Sequence, residues 1–177
     1  MDTTIKLQGT HGTSQRNAAG ACLHGFNLSL GRVGKGAYFW AQCELAEHLA
    51  KGWFKFQHHI NAYREYPNAL EAVIKADLEC LELEHINLEE LYFKDKLQSL
   101  VVKHKVQNLD TDTEIAKLHS LVVSEVEQAS GHKCRIMEVR LAPPPANFVP
   151  DYSIRMYGSP ICYVVRDPVC ITIKQVV

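Results

Sequence analysis

The sequence predicts an α+β fold over residues 1–177 as one domain, and three observations carry that reading. Segments with the two-residue alternation of half-buried strands are interspersed with segments whose apolar residues recur every three or four positions. Their order lacks the repeated strand–helix–strand spacing of a doubly wound parallel sheet. The 177 residues are 46% hydrophobic and 22% charged. That is enough for one domain with its own core, since a chain of about 150 residues buries roughly 70% of its unfolded surface.

The elements follow in order. Ile5 and Leu7 alternate with polar neighbours and lead into Gly9-Thr10-His11-Gly12-Thr13-Ser14, which reads as a strand ending in a turn. Ser14 is placed to cap a helix over Gln15 to Leu23, with His24 in its last turn and Gly25 where a left-handed residue is wanted. A polar loop then gives way to Gly31, Gly34 and Gly36 and an aromatic strand, Ala37-Tyr38-Phe39-Trp40. From Glu44 to Trp53, Leu45, Leu49 and Trp53 share one helical face. From Glu71 onward Ala72, Ile74, Ala76 and Leu78 occupy one face of a strand, opposite Glu71, Lys75 and Asp77. Asn87 with Glu90 resembles a capping box opening a helix to about Lys103, and Thr111 with Glu114 opens a second helix. Its stripe is Ile115, Leu118, Val122, Val126 and Ala129, and Gly131 ends it. Cys134 to Leu141 is a strand stopped by Pro143-Pro144-Pro145, and Ile161–Val165 and Val169–Val176 are two more around a turn at Asp167-Pro168.

Composition excludes several classes. Nineteen Lys and Arg against twenty Asp and Glu give a net charge of -1 and a pI near 6.7, so no chain-wide basic field attracts phosphate backbones or lipid. No apolar run approaches the ~20 residues that span a bilayer, and the first ten residues carry no apolar signal region. Six cysteines without a C-x-x-C pair predict reduced thiols, and the expectation is a cytoplasmic protein away from membranes. His58-His59 lack zinc-ligand spacing, so no metal is expected. Lys94, Lys96, Lys103, His104 and Lys105 share their region with Glu89, Glu90 and Asp95 and read as a solvated mixed face. Gly31-Arg32-Val33-Gly34-Lys35-Gly36 leads into a strand with no Ser or Thr after Lys35, so it is neither a P-loop nor a dinucleotide-binding fingerprint.

The ordered set His11-Gly12-Thr13, then Gly25-Phe26, then Gly34-Lys35-Gly36-Ala37-Tyr38-Phe39 resembles the ADP-ribosyltransferase domain of poly(ADP-ribose) polymerases and diphtheria-toxin-like enzymes. The likeness covers roughly residues 5 to 53, with a looser match at Ile161 to Val176. It implies two small, mostly antiparallel sheets packed around an NAD cleft with flanking helices. The implied activity is mono-ADP-ribosyl transfer from NAD, as substrate, to a protein or nucleic-acid acceptor with release of nicotinamide. Small stand-alone bacterial members are commonly toxins of toxin–antitoxin or phage-defence systems, so an antitoxin or immunity protein is an implied partner.

By the same resemblance His11 would hydrogen-bond the adenosine ribose, Gly12 would pair through its backbone with the nicotinamide carboxamide, and Tyr38 would stack on the ring. Thr13 or Ser14 would touch ribose, and Arg32 and Lys35 would reach the pyrophosphate. The second stacking aromatic is replaced by Leu49, with Trp53 one turn further on as a substitute. Cys162 stands where the polymerases place a catalytic glutamate. A neutral thiol cannot supply that carboxylate. Chain elongation is therefore not expected, and Glu138 is either a substitute or an exposed strand residue. The other reading is a catalytically silent module that binds NAD, ADP-ribose or a partner protein.

Overall fold

A computed structural model describes residues 3–103, 112–149 and 158–177. It is α+β. Strands β1 (Thr4–Ser14), β2 (Ser29–Gly31), β3 (Gly34–Ala41), β4 (Glu71–Leu81), β5 (His85–Asn87), β6 (Ile136–Arg140), β7 (Ile161–Val165) and β8 (Ile171–Val176) form one mixed sheet. Its helices, among the described residues, are α1 (Gln15–His24), α2 (Ala46–His59), α3 (Leu91–Lys103) and α4 (Asp112–Ser130). The strand order is β5-β6-β7-β3-β1-β4-β8, with β2 hairpinned onto β3, and only β5 and β6 are parallel.

Where two separate sheets are expected, the strands follow one hydrogen-bonded path with a pinch in it. β1 pairs with β4 along its whole length, Thr4↔Leu81 to Ser14↔Glu71, but with β3 only at Gly9↔Ala41 and Thr10↔Trp40. Two half-sheets, β1-β4-β8 and β3-β7-β6-β5, therefore meet at two residue pairs. Gly9 makes the crossing possible, because a Cβ there would lie 2.6 Å from Phe39 Cβ.

Two cores result. One face of β3-β7-β6 carries Tyr38, Trp40, Cys162, Val164, Met137 and Val139 against Leu49 and Ala50 of α2 and Val123 of α4. The other carries Ala37, Phe39, Val165 and Ile136, and joins Ala76, Leu78 and Cys80 of the second half-sheet.

Most predicted elements form, with informative differences. The glycine-bearing stretch Gly9–Ser14 is not a turn but the continuation of β1. Its glycines answer to tertiary contacts, because a Cβ on Gly12 would sit 1.8 Å from the Ala50 carbonyl oxygen where α2 crosses the strand. Ser14 caps α1 as expected, accepting from Asn17 N–H at 3.2 Å, and Gly25 ends it at φ 80°. Asn87 does not open a capping box on α3: it lies in β5, its side chain accepts from Glu89 N–H, and the helix starts at Leu91. Thr111 lies outside the described residues; Gly131 closes α4 at φ 72°. β2 and β5, each three residues long, are too short to show periodicity. No helix of the described residues is long and apolar enough to cross a membrane.

Candidate functional site

The site begins at the pinch. Gln42 N–H donates to the Gln8 carbonyl at 3.0 Å, so Gln8 turns its backbone polar groups toward β3. Strand groups alternate, and β1 has no bulge, so Thr10 and Gly12 face the same way. The ladder stops at Thr10↔Trp40, so Gly12 directs its N–H and C=O into the splay between the half-sheets. The next β3 carbonyl, that of Tyr38, accepts a hydrogen bond from His11 Nδ1–H at 2.8 Å instead.

That bond fixes the imidazole. A carbonyl only accepts, so the proton is on Nδ1 and Nε2 is left as an acceptor. The ring is half-buried, edge-on to Phe26 and tilted against Phe39, both with centroids 5.4 Å away. Burial holds its pKa below the ordinary value, partly offset by the Tyr38 bond, and keeps it neutral at pH 7.

Tyr38 is a clamp as well as an aromatic surface. Its hydroxyl donates to the Gly34 carbonyl at 2.6 Å and accepts from Val33 N–H at 3.2 Å, pinning the β2–β3 hairpin. A Cβ on Gly31 would collide with the phenol at 2.6 Å, so that glycine makes room for the ring. His11 and Tyr38 are joined by the backbone bond, but their side chains leave opposite faces, His11 toward Phe39 and Tyr38 into the core under α2 and α4.

The two positions where the resemblance places unusual residues are both interior. Leu49 and Cys162 are each 1% exposed and belong to that core. Cys162 lies opposite Trp40 on one side and Val139 on the other, and Trp40 opposes Thr10, so the thiol is two strands, roughly 10 Å, from β1. Burial pushes its pKa well above that of an ordinary thiol, so it is neutral and offers no charge to a ligand. Trp53 is half-buried on α2 beside Phe56, at 5.8 Å.

Glu138 is on the other face of β6, directly across from Tyr163 on β7 and Asn87 on β5. Its Oε2 is 3.7 Å from His85 Nε2, and burial, followed by the charge of Glu89, holds its pKa above the ordinary value. His85 is shifted the other way by burial, and its Nε2 is buried without a hydrogen bond. Between Glu138 and His11 stand Tyr163 and the wholly buried Phe39, so the structure does not bring these two together.

The remaining expected residues divide. Thr13 and Ser14 are buried and engaged, Thr13 with the Tyr63 hydroxyl and Ser14 as the α1 cap. Arg32 and Lys35 are exposed at the β2–β3 hairpin. His58 and His59 are structural: the ring N–H of His58 donates to the Pro67 carbonyl at 3.0 Å, and His59 lies against Phe148. No cluster of three metal-ligating side chains occurs among the described residues. Phe26, part of the Gly25-Phe26 match, seats the His11 ring; sequence reasoning did not single out His85, whose neighbour Glu138 is distant in sequence, or His119, which bonds the Ile115 carbonyl within α4. No protein-family model matches the chain, and no curated protein matches it.

Proposed function

We propose that the chain is an NAD-dependent mono-ADP-ribosyltransferase that moves one ADP-ribose from NAD to a macromolecular acceptor. The observation that carries this reading is the pair His11-Gly12 at the splay of the two half-sheets. Gly12 offers one N–H donor and one carbonyl acceptor side by side, the complement of a carboxamide, and α2 covers it where a Cβ would stand. His11, held neutral with Nε2 as acceptor, suits a ribose hydroxyl. The half-sheets flanking a gap support the ADP-ribosyltransferase-like fold that the sequence resemblance implies.

In the reaction an acceptor nucleophile bonds to ribose C1′, the bond from C1′ to the nicotinamide nitrogen breaks, and nicotinamide leaves with the electron pair while the acceptor proton passes to water. The chain's part is to hold the carboxamide and the ribose and to limit their motion. Among the described residues no carboxylate stands beside Cys162 to steady the oxocarbenium-like ribose, which fits single transfer rather than chain growth. A cytoplasmic toxin restrained by an antitoxin or immunity protein is the biological setting this reading suggests.

The buried, uncharged Cys162 favours a second reading, a silent module that binds NAD or ADP-ribose. Incubation with labelled NAD and cell extract separates the two. Label on protein or nucleic acid that His11→Ala and Tyr38→Ala abolish supports transfer; thermal stabilisation by NAD without label supports the silent module. If NAD neither binds nor reacts, both are wrong.

A further inference from the structure

A groove of about 420 Å³ lies where β1 ends, between the first turn of α1 and the segment that joins α2 to β4. Gln15 and Arg16 form one wall, and Tyr66, Pro67, Asn68 and Leu70 the other. The volume is in the range of ligand pockets, about 300–1,000 Å³. Hydrogen bonds fix both walls. Gln15 N–H donates to the Leu70 carbonyl at 2.9 Å, Ala69 N–H to the Tyr66 carbonyl at 2.9 Å, and the His58 ring N–H to the Pro67 carbonyl at 3.0 Å. The groove is thus built before a ligand arrives, and little ordering is left for binding to supply.

Arg16 gives the groove its chemistry. Its guanidinium carbon is 3.8 Å from the centre of the Tyr66 ring, a cation held against an aromatic face. The ring steadies the group and leaves the N–H donors along its edge for the fork that fits a carboxylate. Arg16 is exposed, is the one charged side chain lining the groove among the described residues, and forms no ion pair with a described carboxylate. Glu71, in register with Ser14, acts on Lys51 instead, and the first turn of α1 holds no acid. One cation without an anion of its own is matched by one carboxylate, whereas a polyanion needs further cations that these walls do not supply. The other requirement is apolar, because Leu70 is 64% exposed beside Pro67 and Tyr66. Arg16, Pro67, Asn68 and Leu70 are all exposed, so the groove is open along one side and a chain can enter and leave it. The Asn68 amide offers a donor and an acceptor, as a peptide bond does.

We propose that this groove binds a peptide segment of a partner protein in which an acidic side chain stands beside an apolar one, the carboxylate on Arg16 and the apolar group against Tyr66 and Leu70. The site goes beyond the transferase reading and does not rest on it. Neither His11 nor Gly12 lines the groove, so a peptide there leaves the proposed NAD contacts open.

The test selects phage-displayed random heptapeptides on the full chain and measures the enriched peptides, synthesised with a dye, by fluorescence anisotropy. Enrichment of an aspartate or glutamate next to an apolar residue is expected. Arg16→Ala is expected to weaken the selected peptide about tenfold, as is replacing the peptide's acid by its amide. Arg16→Lys recovers little, because an ammonium keeps the charge without the planar fork. Asn68→Trp fills the groove from an exposed position and is expected to weaken binding as much. Arg16 and Asn68 are exposed, so these variants keep the fold, which a thermal melt checks. No enrichment, enriched peptides without an acid, or binding that Arg16→Ala and Asn68→Trp leave unchanged overturns the proposal. Displacement of the peptide by NAD or by a single-stranded RNA of about ten nucleotides also overturns it, by giving the groove to a nucleotide. Peptide held through Arg16 by a chain that neither binds NAD nor transfers label sinks the transferase reading and leaves the groove standing.

Discussion

Cys162 and Glu138 lie on neighbouring strands, one residue apart in register, and meet opposite surroundings. Cys162 opposes Val139 on the face that α2 and α4 cover, and is sealed in the core. Glu138 opposes Tyr163 on the other face, within reach of His85 and close enough to solvent to keep a carboxyl group, although a reluctant one. Strand alternation alone separates them. A substitute carboxylate therefore cannot be found by moving one residue along the strand, because that step changes the face and the medium, nor by moving one strand across, because the same face there holds Trp40 and Val139.

The strongest way to break this contrast is to put a carboxylate on the sealed face. Cys162→Glu buries a group with no partner beside Trp40 and Val164, and is expected to cost about 3–5 kcal/mol in urea unfolding while restoring no transfer. A stable variant with raised transfer would show instead that the core opens there. Gly12→Ala comes next. The added methyl meets the Ala50 carbonyl, a backbone atom that cannot swing aside, so a loss of about 3 kcal/mol is expected, together with loss of any NAD-induced thermal shift.

Tyr38→Phe keeps the ring and removes both hairpin bonds. A drop of about 1–2 kcal/mol in stability is expected, and if the ring is the part that meets ligand, NAD affinity falls far less than in Tyr38→Ala.

The smallest effect sharpens the other half of the comparison. The pKa of Glu138 is raised above its ordinary 4.5, so folding favours its protonated form; that contribution is complete below pH 4.5 and is lost as pH climbs through the raised value. Glu138→Gln is therefore expected to be about 1 kcal/mol more stable than the native chain at pH 7 and no more stable below pH 4. His85 runs the opposite way: its pKa is lowered, so stability present above its ordinary 6.5 is lost as pH falls, and His85→Asn is expected to flatten that acid limb. Thermal melts of the two variants between pH 4 and 8 read both slopes.

The local record in the sequence was rich. The Ser14 cap, the Gly25 and Gly131 terminators, the bounds of β7, the alternation of β4 and the Leu118–Val122 stripe all follow from interactions within a few residues, and the structure shows each. The glycines of Gly9–Ser14 misled because their cause is not local. They look like a turn, yet they keep a long strand passable under Phe39 and Ala50, which arrive from β3 and α2.

The sequence by itself determined the α+β class, most elements and the ordered set His11-Gly12-Thr13 and Gly34-Lys35-Gly36-Ala37-Tyr38. Only the tertiary structure decided that β1 and β3 part after Thr10, that Tyr38 spends its hydroxyl on a hairpin, and that Cys162 and Leu49 are interior. It also decided that His11 is neutral with Nε2 left as an acceptor, and that Arg32, His119 and Arg140 line one cavity. The physical reason is range. Caps, terminators and periodicities are set by neighbours in the chain, whereas exposure, tautomer and pKa are set by whichever distant segments the sheet and helices bring alongside.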